Sequence, residues 1–63
     1  MWGFVIYFHN ALTGDEYSKL IEVDGQFFNS DEEICAYALH KGLKLLPELG
    51  EGVSFSKLEF IYC

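Results

Sequence analysis

Arginine is missing altogether from these 63 residues, and four lysines face ten carboxylates, so the chain carries a formal charge of −6. Binding to a phosphate backbone rests on Lys and Arg that displace counterions, so direct nucleic-acid binding is not expected. Aromatic side chains otherwise suit a base-stacking platform, but such platforms sit beside basic grooves. Cysteine is sparse too: Cys35 and Cys63 allow at most one bridge, fewer than disulfide-dependent minidomains carry, and both read as reduced thiols. No apolar run approaches the roughly 18 residues that span a bilayer. The N-terminal apolar segment also lacks the basic flank and small-residue cleavage site of a secretory signal. A cytosolic protein without a membrane contact is the expectation.

Arrangements that carry chemistry are equally scarce. His9, His40, Cys35 and Cys63 are the only soft ligand types, and none has zinc-ligand spacing. Ser18, Ser30, Ser54 and Ser56 lack an elbow-like glycine context, and neither histidine has a recognisable partner. Gly14, Gly25, Gly42, Gly50 and Gly52 are isolated or in turns, which leaves no phosphate-cradling loop. No catalytic residue, metal or cofactor is expected, and the chain reads as no enzyme.

What the chain does have is apolar content: 51% hydrophobic and 17% aromatic residues, well outside the composition of disordered proteins. One domain, residues 1–63, is all this length allows, and a chain so short buries only about 60% of its unfolded surface. A first strand, Trp2 to His9, is apolar on both faces. Asn10 to Glu16 then supplies hairpin-loop chemistry. A second strand, Tyr17 to Asp24, sets Tyr17, Ile21 and Val23 on one face and Ser18, Glu22 and Asp24 on the other. Phe27 and Phe28 follow in a connection expected to fold under the helix.

Ser30-Asp31-Glu32-Glu33 is a capping box, in which Ser30 accepts from the Glu33 amide and the Glu33 carboxylate reaches back. Asp31 and Glu32 suit the positive end of the helix dipole. At 100° per residue Ile34, Cys35, Ala38, Leu39, Gly42, Leu45 and Leu46 form an apolar stripe opposite Glu33, Tyr37, His40, Lys41 and Lys44. Gly42 inside the stripe predicts close approach to a bulky strand residue, Cys35 reads as a small core residue, and Pro47 stops the helix. A loop, Glu48 to Gly52, leads to a last strand from Val53 to Cys63. Val53, Phe55, Lys57 and Glu59 point one way there, and Leu58, Phe60 and Tyr62 the other. That uneven mixture predicts a bulge near Ser56-Lys57.

These elements predict an α+β fold with ββαβ order: a three-stranded antiparallel sheet, order 2-1-3, with one helix on one face. The most apolar strand takes the centre, and Lys19, Glu22, Lys57 and Glu59 fall on edges, where charge discourages stray pairing. Trp2, Phe4, Ile6 and Phe8 then form the core face, while Val5, Tyr7 and His9 point to a face the single helix cannot cover. Exposed apolar patches of this kind mark contact sites.

In length, acidity and strand-strand-helix-strand order the chain resembles the very small acidic proteins with which phages block host defences, the anti-CRISPR proteins and the phage antitoxin Dmd. That resemblance implies a phage or mobile-element origin and stoichiometric inhibition of a host nuclease or nucleic-acid-binding complex in the host cytosol, with acidic side chains standing where phosphates bind. Lys19, Lys41, Lys44 and Lys57 interrupt the acids along the chain. The expected partner is a protein with a basic surface, and the expected contact set is Val5, Tyr7, Asp15, Glu16, Glu22, Asp24, Glu48 and Glu51. The alternative is a small structural or regulatory domain that forms a homodimer, sheet to sheet, through Val5 and Tyr7.

Overall fold

A computed structural model describes residues 1–63. Strands β1 (Trp2–Asn10) and β2 (Glu16–Val23) form a hairpin, and a 3₁₀ turn (Gly25–Phe27) leads into helix α1 (Asp31–Leu43). A one-turn helix α2 (Leu46–Leu49) and strand β3 (Val53–Tyr62) complete the chain. The sheet order is β2-β1-β3, and both outer strands run antiparallel to β1. This is the expected α+β, ββαβ layout.

Alternation along β1 decides the core. Phe4, Ile6 and Phe8 are fully buried, joined by Ile21 and Val23 of β2 and by Ile34 and Ala38 of α1. Burying each large side chain is worth roughly 2 kcal/mol, so the three β1 residues dominate the stability of so small a domain. Ile34, Ala38 and Gly42 recur every fourth residue and form the line of α1 that meets the sheet. A Cβ on Gly42 would run into Cδ1 of Ile6 and lie 3.2 Å from its Cγ2, which is the close approach expected there.

The start of α1 has a local cause, and its end falls short of the expected stop. The Glu33 amide donates to Ser30 Oγ at 3.3 Å, and the Glu33 carboxylate accepts from the Asn29 amide at 2.8 Å, so it reaches back to the residue before the cap. At the other end α1 stops at Leu43, four residues ahead of Pro47. Pro47 sits instead in the first turn of α2, where its missing N–H costs nothing. Glu48, expected in a loop, therefore lies on α2.

Three side chains depart from expectation. Cys35 is exposed, because the line of contact through Ala38 and Gly42 is narrower than the apolar stripe. Phe27 is 79% exposed; the 3₁₀ turn, whose first amide-donor partner is the Asp24 carboxylate, turns it outward. Only Phe28 packs on the core, with its ring 5.1 Å from that of Tyr37. Finally, Tyr62 does not share a face with Phe60. The β1–β3 register slips twice, between Tyr7 and Phe8 and between Gly3 and Phe4, leaving Ser56 and Ile61 as extra residues of β3. The first slip is the bulge expected near Ser56-Lys57; it returns Phe55 to the helix side opposite Phe8. The second, at Ile61, sends Tyr62 to the opposite side, opposite Gly3.

Helix α1 lies chiefly against β2 and less against the adjoining β1, while α2 leans on β3. A helix about 10 Å wide spans roughly two strands at about 4.8 Å spacing, so the third goes uncovered. Where α1 does not reach, Phe60 closes over Trp2 and Phe4, with ring centroids 5.3 and 5.6 Å away. Even so, Phe60 remains 50% and Phe55 39% exposed on the helix side.

Candidate functional site

The face of the sheet away from α1 is built from alternate residues of three strands. Gly3, Val5, Tyr7 and His9 of β1 lie between Glu22, Leu20, Ser18 and Glu16 of β2 and Tyr62, Glu59, Lys57 and Ser54 of β3. Directly opposed residues on antiparallel strands share a face, so these side chains form one surface. Its apolar content is modest: Val5 is half-buried and Leu20 is 50% exposed. Its character comes from two tyrosines and their carboxylates.

Tyr7 donates its hydroxyl to Glu59 Oε1 at 3.2 Å, and the Lys57 ammonium stands 4.8 Å from the Tyr7 ring centroid, within cation–π range. Tyr62 donates to Glu22 Oε2 at 2.8 Å, reaching from β3 over β1 to β2. Gly3 makes this crossing feasible, since any Cβ there would meet the Tyr62 ring. A ring laid over a strand glycine restores the cross-strand contact that glycine lacks. Both phenols are held above their ordinary range. For Tyr7 partial removal from water is the main cause, followed by the hydrogen bond and charge of Glu59. For Tyr62 the bond to Glu22 comes first, then desolvation.

Beside Tyr7 the Ser56 bulge opens a hollow of about 260 Å³ that Glu16 and Lys57 also line. A shallow cleft of about 370 Å³ lies on the other side of the molecule, between the end of β2, the 3₁₀ turn and α1, with Phe28, Tyr37, Asp24 and Lys41 among its walls. A third, of about 230 Å³, is walled by Phe8, Tyr17, Leu45, Leu49 and Glu48. Neither His9 nor His40 lines any of the three.

The eight expected contact residues do not form one cluster. Val5, Tyr7, Glu16 and Glu22 share the open face, with Glu16 and Glu22 about 20 Å apart along β2 at about 3.3 Å per residue. Asp15 sits in the hairpin loop, where it accepts from Thr13 Oγ1 at 2.9 Å. Glu51 lies in the turn next to Gly52, whose carbonyl accepts from the Ala11 amide of that loop at 2.9 Å. Glu48 is on α2, facing the helix-side cleft rather than the open face. Asp24, at the far end, is engaged by the backbone and side-chain nitrogens of Gln26 at 3.2 and 2.8 Å.

Glu59 and Tyr62 belong to the face but were not among the expected residues. The signals for them were Gly3, which leaves room for a ring, and a β3 pattern that needs two extra residues rather than one. No family model, curated protein or solved structure matches the chain. No helix is long and apolar enough to cross a membrane.

Proposed function

We propose that this protein is a non-catalytic, protein-binding inhibitor that lays its acidic, tyrosine-bearing sheet face on a basic protein surface. The partner is a nuclease or nucleic-acid-binding complex of a host defence system, reached in the host cytosol, as the resemblance to small acidic phage proteins implies. One observation carries the reading: Glu16, Glu22 and Glu59 surround Tyr7 and Tyr62 on a sheet face over which no element of the chain packs. Tyrosine offers rigid, amphipathic contact area at low entropic cost, and carboxylates recognise arginine through paired, charge-assisted hydrogen bonds. Each carboxylate here has several lone-pair sites, so one tyrosine hydroxyl leaves it free to accept from a partner. A charge of −6 adds electrostatic steering toward a basic target.

The test is titration of the protein against basic nuclease effector complexes at increasing salt, together with their cleavage activity. The expected result is a one-to-one complex that silences cleavage, weakens as salt rises, and is lost in Tyr7→Ala and Glu59→Lys variants that remain folded by circular dichroism. Failure to bind any such complex at low salt, or binding indifferent to both variants, overturns the reading.

A further inference from the structure

We propose that two copies of this chain pair through β3, edge to edge and antiparallel, with Leu58 on the two-fold axis. The inference goes beyond the partner surface above: the pairing runs along the rim of the sheet, it shares only Lys57 and Glu59 with that face, and its test requires no partner protein.

Three observations meet at β3. It is a ten-residue edge strand with one side of its backbone unpaired. Helix α1 leaves its helix side open, so that Phe55 and Phe60 stay substantially exposed. And its regular segment, from Lys57 to Phe60 between the irregular steps at Ser56 and Ile61, carries one cation and one anion two residues apart.

Self-pairing of an edge about a two-fold axis perpendicular to the sheet keeps each face on its own side, so opposed residues must share a face. Within Lys57–Phe60 that permits only four centres. A centre at Lys57 opposes lysine to lysine, and one at Glu59 opposes glutamate to glutamate. A centre at Phe60 draws the irregular step at Ile61 into the middle of the ladder. A centre at Leu58 sets Lys57 against the partner's Glu59 and Glu59 against the partner's Lys57, with Leu58 on its own mate and Phe60 over the partner's Ser56. Charges on an edge usually repel a stray strand, and here the same two charges repel every neighbouring register and accept one. The occupant that fits this pattern is a second copy of the chain. The product is a six-stranded sheet in which the two uncovered β3 strands become the centre and the two helices flank the phenylalanines on one side.

Sedimentation from about 10 μM to about 1 mM protein tests this by mass action. At physiological salt, where the Debye length is about 8 Å, repulsion between two chains of charge −6 is largely screened while contacting pairs persist. The expected result is a monomer–dimer equilibrium. Lys57→Glu or Glu59→Lys alone weakens it by about tenfold or more, and the double exchange Lys57→Glu/Glu59→Lys restores it, since the swapped pair is complementary in the same register. A second reading does not depend on the stability of those variants. With Cys35 and Cys63 replaced by serine, Leu58→Cys forms an intermolecular disulfide on mild oxidation, whereas Lys57→Cys or Glu59→Cys does not, because only residue 58 faces its own mate. A chain that stays monomeric to about 1 mM, a double exchange no better than the single ones, or equal cross-linking at all three positions overturns the proposal.

Discussion

The Tyr62 hydroxyl, carried by one edge strand, donates at 2.8 Å to Glu22 on the other, and the ring between them covers Gly3 in the central strand. The open face is therefore held together by a side-chain clasp on top of its backbone ladder. A second phenol–carboxylate pair lies further along the same face, with Glu59 opposite Val5 and Tyr7 two face positions beyond Gly3. A sheet built to meet water alone does not need phenols at two such positions, and their presence marks the face as a rigid one.

Gly3→Ala tests the clasp through the sign of its effect. Alanine in a strand is ordinarily better than glycine by roughly 0.5–1 kcal/mol. Here the added methyl must displace the Tyr62 ring, which is 40% exposed and can swing away, at the cost of its bond to Glu22. The expected net outcome is a loss of about 1 kcal/mol in chemical denaturation. The Tyr62 phenol should then titrate closer to its ordinary value, read from tyrosinate absorbance. A stabilised variant would show that the ring does not rest on Gly3.

Gly42→Ala sets the same substitution against a neighbour that cannot move. Helix propensity favours alanine by about 1 kcal/mol. Ile6, fully buried, stands in the way, and overpacking of this kind costs about 1–3 kcal/mol. The variant is expected to be destabilised, and the double variant Gly42→Ala/Ile6→Val to recover part of the loss. Equal denaturation midpoints for wild type and Gly42→Ala would mean that α1 slides away from the sheet at no cost.

Most of the fold was legible because each deciding signal was local. The apolar alternation of β1, the Ser30–Glu33 capping box and Gly42 within the helix stripe correspond to the buried central strand, the start of α1 and the contact with Ile6. What was not legible depended on quantities that no local pattern carries. Cys35 falls on the apolar stripe but outside the contact, since the stripe of a helix on a sheet is wider than the line that touches it. The slip at Ile61 reverses the side of Tyr62, and a one-residue slip in a strand moves every later side chain to the other face. Tyr62 and Glu59 were thus hidden by register rather than by composition. The open face itself was visible from one helix serving a strand apolar on both sides, but no local pattern tells that the helix lies chiefly over β2 and leaves Phe55 and Phe60 exposed on β3.

Alkaline pH should weaken the domain. The phenols of Tyr7 and Tyr62 are raised above the usual tyrosine value, so folding favours their protonated forms. Their contribution is fully present below the unfolded value of about 10, and it is lost as pH climbs from there through the higher folded values. The thermal midpoint should therefore fall more steeply above about pH 10 in the wild type than in Tyr7→Phe/Tyr62→Phe. Parallel profiles for the two proteins would show that the two phenols do not cause the alkaline loss.

Asn10 is the one buried polar side chain, and it organises the hairpin end that carries Asp15. Its Oδ1 accepts from the amides of Leu12 and Thr13 at 2.8 and 3.2 Å, while its own amide and carbonyl bond Asp15 and Gly14 across the loop. Gly52, at φ +82°, packs against Leu12 and ties this loop to the start of β3. Asn10→Ala strands two amides at once, and a lost acceptor for partly buried donors costs about 1–3 kcal/mol. Asn10→Asp keeps an oxygen in the same place and should cost much less, despite the nearby acids. Hydrogen exchange decides between a local and a global effect. In Asn10→Ala the Leu12 and Thr13 amides are expected to exchange faster by a larger factor than the core amides of Phe4 and Ile6. A uniform acceleration across the chain would instead make Asn10 part of the folding core, and the loop bearing Asp15 no more rigid than the rest of the surface.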